Sequence, residues 1–160
     1  MPIPNGLNPV VETINAKKVI ISATAEGATR TLHPSESGSL VLLDRSAGVV
    51  ITLPTPDGNA GIFYDFAVPT TLGSNTVQII TSQGSIYIIG GILNVDVDTA
   101  FADDWYVTGE SAVSINFNGG TAGAQSGTMF RLTSLSATRW MVNGIVTASG
   151  TVAGPFRTTT

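Results

Sequence analysis

The sequence predicts an all-β protein, either a jelly-roll-like β-sandwich or an irregular β-barrel of about ten to twelve short strands, with extended arms at both ends. Three observations carry that expectation. Charged residues make up only 11% of the 160 residues and hydrophobic ones 42%, with much of the remainder Gly, Ser and Thr, a balance typical of sheet proteins. Turn signals recur roughly every eight to twelve residues. No stretch shows a sustained helical period with caps at its ends.

Residues 1–9, MPIPNGLNP, hold three prolines and cannot form a helix or a central strand. They are expected as an arm. Pro2, Ile3, Pro4, Asn5 and Leu7 would form its binding segment, pre-extended by the prolines with Ile3 and Leu7 as small apolar anchors. A β domain then spans 10–146, and a small, polar tail over 147–160 is expected as a second arm.

Val19, Ile20 and Ile21 supply the first strand core, a turn follows at Glu26-Gly27, and Arg30 to Leu32 returns. His33 to Gly38 reads as loop and Ser39 to Arg45 as strand. The clearest signal is Gly48 to Val68. Its β-branched run Val49, Val50, Ile51 and Leu53 stops at Pro54, which cannot donate to a ladder. Pro56, Asp57, Gly58, Asn59 and Gly61 then crowd one loop. Ile62, Tyr64, Phe66 and Val68 next alternate with Phe63, Asp65 and Ala67, as in a strand covering a core on one side. The pair is expected to be a hairpin or a corner.

Pro69 to Asn75 is another turn, followed by the alternating TVQIITS. Ser85 to Ile89 is a strand, and Gly90-Gly91 suits a bend or bulge before Ile92, Val95 and Val97. Ser111 to Asn118 places Val113, Ile115 and Phe117 on one face. Gly119 to Gly127 is a glycine-rich loop without the charge or spacing of a phosphate cradle. Thr128 to Leu135 and Ala137 to Val146 close the domain.

Chemistry finds little footing. With no cysteine and a single histidine, neither a thiol nucleophile nor a zinc site is available. His33 has Ser35 and Glu36 beside it, but a triad is assembled from distant segments. No enzymatic activity and no cofactor are expected. Asp96, Asp98, Asp103 and Asp104 would favour calcium if they converged, although their spacing is not that of an EF-hand loop.

A net charge of -4 with seven Lys and Arg argues against nucleic acid, whose phosphates need clustered cations; Lys17 and Lys18 are the only adjacent pair. No segment approaches a membrane span and the N-terminus lacks a secretory pattern, so no membrane partner is expected. Few charges leave a surface that is easily desolvated against a partner, which points to stable assembly.

Three segments, SGSLVLLDRSAGVVITLPTPDGNAGIFYDFAV (37–68), SNTVQIIT (74–81) and RWMVNGIVTASGTVAGPF (139–156), resemble the small capsid decoration, or head cement, proteins of tailed bacteriophages. The resemblance spans about half the chain and includes no catalytic signature. It implies a β-rich homotrimer on the outer capsid surface of the virion, made in the host cytoplasm, that clamps neighbouring major capsid protein subunits. The alternative is a carbohydrate- or receptor-binding module of a viral fibre. There Trp105 and Tyr106 would stack on sugar rings while Asp103 and Asp104 hold hydroxyls.

Overall fold

Runs of β-branched and aromatic residues alternating with polar ones become twelve strands in the computed structural model, which describes residues 20–73, 77–98 and 103–160. In chain order they are β1 (Ile20–Ser22), β2 (Thr29–Thr31), β3 (Leu40–Leu42), β4 (Val49–Thr52), β5 (Phe63–Ala67) and β6 (Val77–Ile80). β7 (Tyr87–Asp96), β8 (Asp104–Thr108), β9 (Ser114–Phe117), β10 (Met129–Ser136), β11 (Arg139–Ala148) and β12 (Phe156–Arg157) follow. They form a seven-stranded sheet, β1-β3-β5-β10-β11-β7-β8, and a five-stranded sheet, β12-β9-β6-β4-β2. The fold is all-β and sandwich-like, as the sequence predicts.

The first six strands alternate between the sheets. β1, β3 and β5 pair in parallel in one, and β2, β4 and β6 pair in parallel in the other. A parallel pair needs a crossover, and here each crossover is itself a strand of the opposite sheet. Ile20 lies beside Leu40 and Leu40 beside Asp65, so successive coils differ in length and leave no repeat in the sequence. Such parallel ladders set the fold apart from a purely antiparallel jelly roll.

The loop after Pro54 is the corner of one such coil rather than a hairpin. β4 ends at Thr52 in the five-stranded sheet, and β5 begins at Phe63 in the seven-stranded one. The β10–β11 hairpin then inserts between β5 and β7. β11 pairs with β7 in parallel over ten residues without a shift of register. Of the bend or bulge expected at Gly90-Gly91, no bulge interrupts this ladder, and β7 continues through the pair with Gly90 at a φ of 105°. Both glycines are used for close approach: a Cβ on Gly90 would meet the Val142 carbonyl oxygen at 2.3 Å, and one on Gly91 would meet the Trp105 indole at 2.8 Å.

Between the sheets lies a continuous apolar core. Phe66 and Phe130 stack with centroids 5.0 Å apart, and Phe117 from the opposite sheet tilts against Phe130 at 5.5 Å. Trp140, fully buried, packs beside Tyr64. Two short helical turns interrupt the coils. α1 (Ala23–Glu26) is capped by Ser22, and the 3-10 turn Pro34–Glu36 by His33.

The tail expected as a C-terminal arm over 147–160 is instead closed onto the domain. β11 extends to Ala148. Ala153 N donates to Thr121 O, Asn94 Nδ2 donates to Ala153 O, and Phe156 and Arg157 join β9 as β12. Ser114 Oγ donates to Thr159 O. Small residues let the segment lie flat under β7 and β8: a Cβ on Gly154 would come within 2.8 Å of the Tyr106 ring. The glycine-rich loop after β9 is likewise tied down. Asn118 Oδ1 accepts from Gly120 N and Ala122 N, and Gln125 Nε2 donates to Ser149 Oγ at 2.6 Å.

Candidate docking surface

Strand alternation decides what each sheet shows on its outer side. In the five-stranded sheet, Val49, Ile51, Val77, Ile79, Ile115 and Phe117 turn inward. Thr29, Thr31, Val50, Thr52, Gln78, Ile80 and Asn116 are left outside, a surface mainly of hydroxyls and amides.

The seven-stranded sheet is different. Its inward residues are Tyr64, Phe66, Phe130, Leu132, Trp140, Val142, Val146, Ile88 and Ile92. Its outward rows align Phe63, Thr133, Met141 and Ile89, then Ala67, Met129, Ile145, Leu93 and Trp105. Between them runs a polar row of Asp65, Arg131 and Asn143, ending in Gly91 and Val107. Six large hydrophobic residues are well exposed among the described residues, at 46% to 65%: Val97, Trp105, Val107, Met129, Leu135 and Ile145. All six belong to this one face or its margin, with Leu135 at the bulged end of β10 and Val97 directly after β7. Scattered exposed hydrophobics are ordinary, but a contiguous set marks an interaction surface.

The charges on that face are matched within the chain. Arg131 donates to Asp65 through Nε at 2.6 Å and Nη2 at 2.8 Å, and its guanidinium lies 4.3 Å from the Phe63 ring centre. Arg139 stacks 5.2 Å from the Tyr87 ring and approaches Glu110 at 3.9 Å. Trp105 lies against the sheet over Gly91, leaving its other side outward.

The glycan platform expected of Asp103, Asp104, Trp105 and Tyr106 is divided by this geometry. Trp105 pairs with outward Leu93, while Asp104 and Tyr106 pair with the buried Asn94 and Ile92 and so face the other way. Burial and the neighbouring charge and hydrogen bond of Asp104 raise the Tyr106 phenol above its usual range. Asp103 Oδ1 accepts from Asp96 N at 2.9 Å, Asp96 Oδ1 from Asp98 N at 3.0 Å, and Asp98 Oδ2 from Gly150 N at 2.6 Å. These carboxylates serve backbone amides around the end of β7. Among the described residues, no three metal-ligating side chains converge on one point.

His33 has a structural task. Its Nδ1 accepts from Ser35 N, while Glu36 Oε2 accepts from His33 N at 2.7 Å, a reciprocal cap of the 3-10 turn. Glu36 also pairs with Arg30, and Tyr64 Oη donates to His33 O at 2.7 Å. Burial, helped by the Glu36 charge, pushes the Tyr64 phenol well above its ordinary range. The arm residues Pro2, Ile3, Pro4, Asn5 and Leu7 lie outside the described residues.

Sequence reasoning did not single out Met129, Met141, Ile145 or Leu93. The available signal was that β11 and β7 carry apolar residues in both phases of their alternation, the mark of a strand with two apolar sides. No family model, curated protein or solved structure matches the chain.

Proposed function

We propose that the chain is a structural decoration protein: a homotrimer on the outer surface of a phage head that holds neighbouring major capsid subunits together without turnover. What supports the reading is the gathering of exposed large hydrophobics onto the outer face of the seven-stranded sheet, with the local charges neutralised in place. A surface of that kind gains from being covered. The segments that carry the resemblance to head cement proteins contribute β3 to β5, β6 and β11, the scaffold beneath much of that face. A subunit that binds only the expanded lattice stabilises that state by mass action. The arm at 1–9, extended by its prolines, is a second contact in this proposal.

The test is co-sedimentation with expanded capsids stripped of their decoration, together with capsid melting. Saturable binding and a raised capsid melting temperature are expected, and both should weaken when residues 1–8 are deleted. A protein that remains in the supernatant at micromolar concentration and leaves capsid melting unchanged refutes the proposal.

A further inference from the structure

We infer that the outer face of the seven-stranded sheet is the contact between copies of this chain, and that its occupant is a second copy. The inference rests on the proposed assembly role and names the partner of that surface. Two features favour a copy over another class of partner. The first is charge. Asp65 with Arg131, and Arg139 with Glu110 and Tyr87, are already paired inside the chain. Among the described residues the face offers no uncompensated charge row for an acidic or basic partner to read, whereas the same neutral, apolar face on neighbouring copies, gathered around the threefold axis of the proposed trimer, matches it.

The second feature is size. β5 and β8 have five residues each, β10 eight, and β11 and β7 ten; at about 3.3 Å per residue and about 4.8 Å between strands, their outline is on the order of 600 Å², of the same order as the roughly 800 Å² that each partner of a stable pair contributes. Ile145 stands near its middle on β11, flanked by Met129 and Leu93. Val107 sits at its edge on β8. Both side chains point away from the core, so a charge at either position meets the partner copy rather than the interior.

The experiment measures solution mass by light scattering for the full chain and for Ile145→Glu, Val107→Lys and Thr31→Glu, with folding followed by circular dichroism. Thr31 lies on the outer side of the other sheet and serves as the control. The expected result is a multimer for the parent chain and Thr31→Glu, and a dissociation constant raised about a hundredfold or more by Ile145→Glu and Val107→Lys. If Ile145→Glu does not fold, Val107→Lys decides. A monomeric parent chain at tens of micromolar overturns the inference, and so does a folded face variant that keeps the parent's mass. Capsid co-sedimentation of the same samples separates the two proposals. A multimer that face variants dissociate but that ignores capsids sinks the decoration role and leaves the self-contact standing. A face variant that keeps its mass yet loses capsid binding assigns the face to the capsid and overturns the self-contact.

Discussion

Arg131 and Asp65 stand directly opposite each other on β10 and β5, joined by two parallel hydrogen bonds on the outer side of the seven-stranded sheet. The partners are unequally placed: the Asp65 side chain is 10% exposed and that of Arg131 46%. The fork geometry of the guanidinium, stacked on Phe63, is what keeps a carboxylate tolerable in an otherwise apolar surface. Removing either partner takes the bidentate pair from the other, and the two remaining groups differ in how easily water reaches them.

Arg131→Met should therefore destabilise the protein more than Asp65→Asn. The first takes two charge-assisted hydrogen bonds and the facing cation from a nearly buried carboxylate, at about 1–3 kcal/mol. The second leaves a guanidinium that turns into solvent. Urea unfolding of the two variants reads the difference, and equal losses would show that the pair acts only through packing.

Gly144 lies opposite Phe130 in the β10–β11 ladder, and a Cβ there would come within 2.4 Å of the Phe130 Cα and Cβ. Gly144→Ala must push Phe130 out of its stack with Phe66 and Phe117, an overpacking penalty of about 1–3 kcal/mol. Gly91→Ala presses instead on Trp105, a half-exposed ring with room to lift. It should cost less stability but shift tryptophan emission, because Trp105 changes its surroundings while the other tryptophan, buried Trp140, does not. Unchanged emission together with a large loss of stability would contradict the placement of Trp105 over Gly91.

Much of the architecture is legible in the sequence because period-2 alternation is local. Val49 to Thr52, Phe63 to Ala67 and Val77 to Ile80 become strands where the pattern places them. What alternation cannot convey is which strands pair. The alternate-sheet coil, the insertion of β10 and β11 between β5 and β7, and the meeting of Asp65 with Arg131 across 66 positions of sequence all depend on long-range register. In the sequence Trp105 and Tyr106 form one aromatic group because they are adjacent, yet adjacent residues in a strand face opposite ways. The tail reads as an arm because it is small and polar. Those same properties let it lie flat beneath β7 and β8.

Asp44 ties β1 and α1 to the segment after β3. Ser22 Oγ donates to its Oδ2 at 2.6 Å and Thr24 N to its Oδ1 at 2.8 Å. Burial alone would raise this carboxyl, but the hydrogen bonds from Ser22 and Thr24 outweigh it and hold it below the usual carboxylate range. A lowered folded-state value means that the stabilisation is fully present above the unfolded value, about 3.9. It is lost as pH falls through the folded one. Asp44→Asn should therefore lower the melting temperature at pH 6 and flatten its fall below about pH 4. Identical pH profiles for variant and parent would remove Asp44 from the account of acid stability.

Deleting residues 150–160 should unfold part of the domain rather than trim an appendage. The tail supplies Ala153 O to buried Asn94, the Gly154 surface under Tyr106, and β12 beside β9. Without it, β9 becomes an open edge, and Ile115 and the inner side of β8 meet water. The truncation should melt at least several degrees lower. Loss of capsid binding on removing the tail is therefore to be attributed to damage in the fold rather than to a lost contact. If the truncated protein melts with the parent, the tail is dispensable to the fold, and its hydrogen bonds to Asn94 and Thr121 contribute nothing measurable.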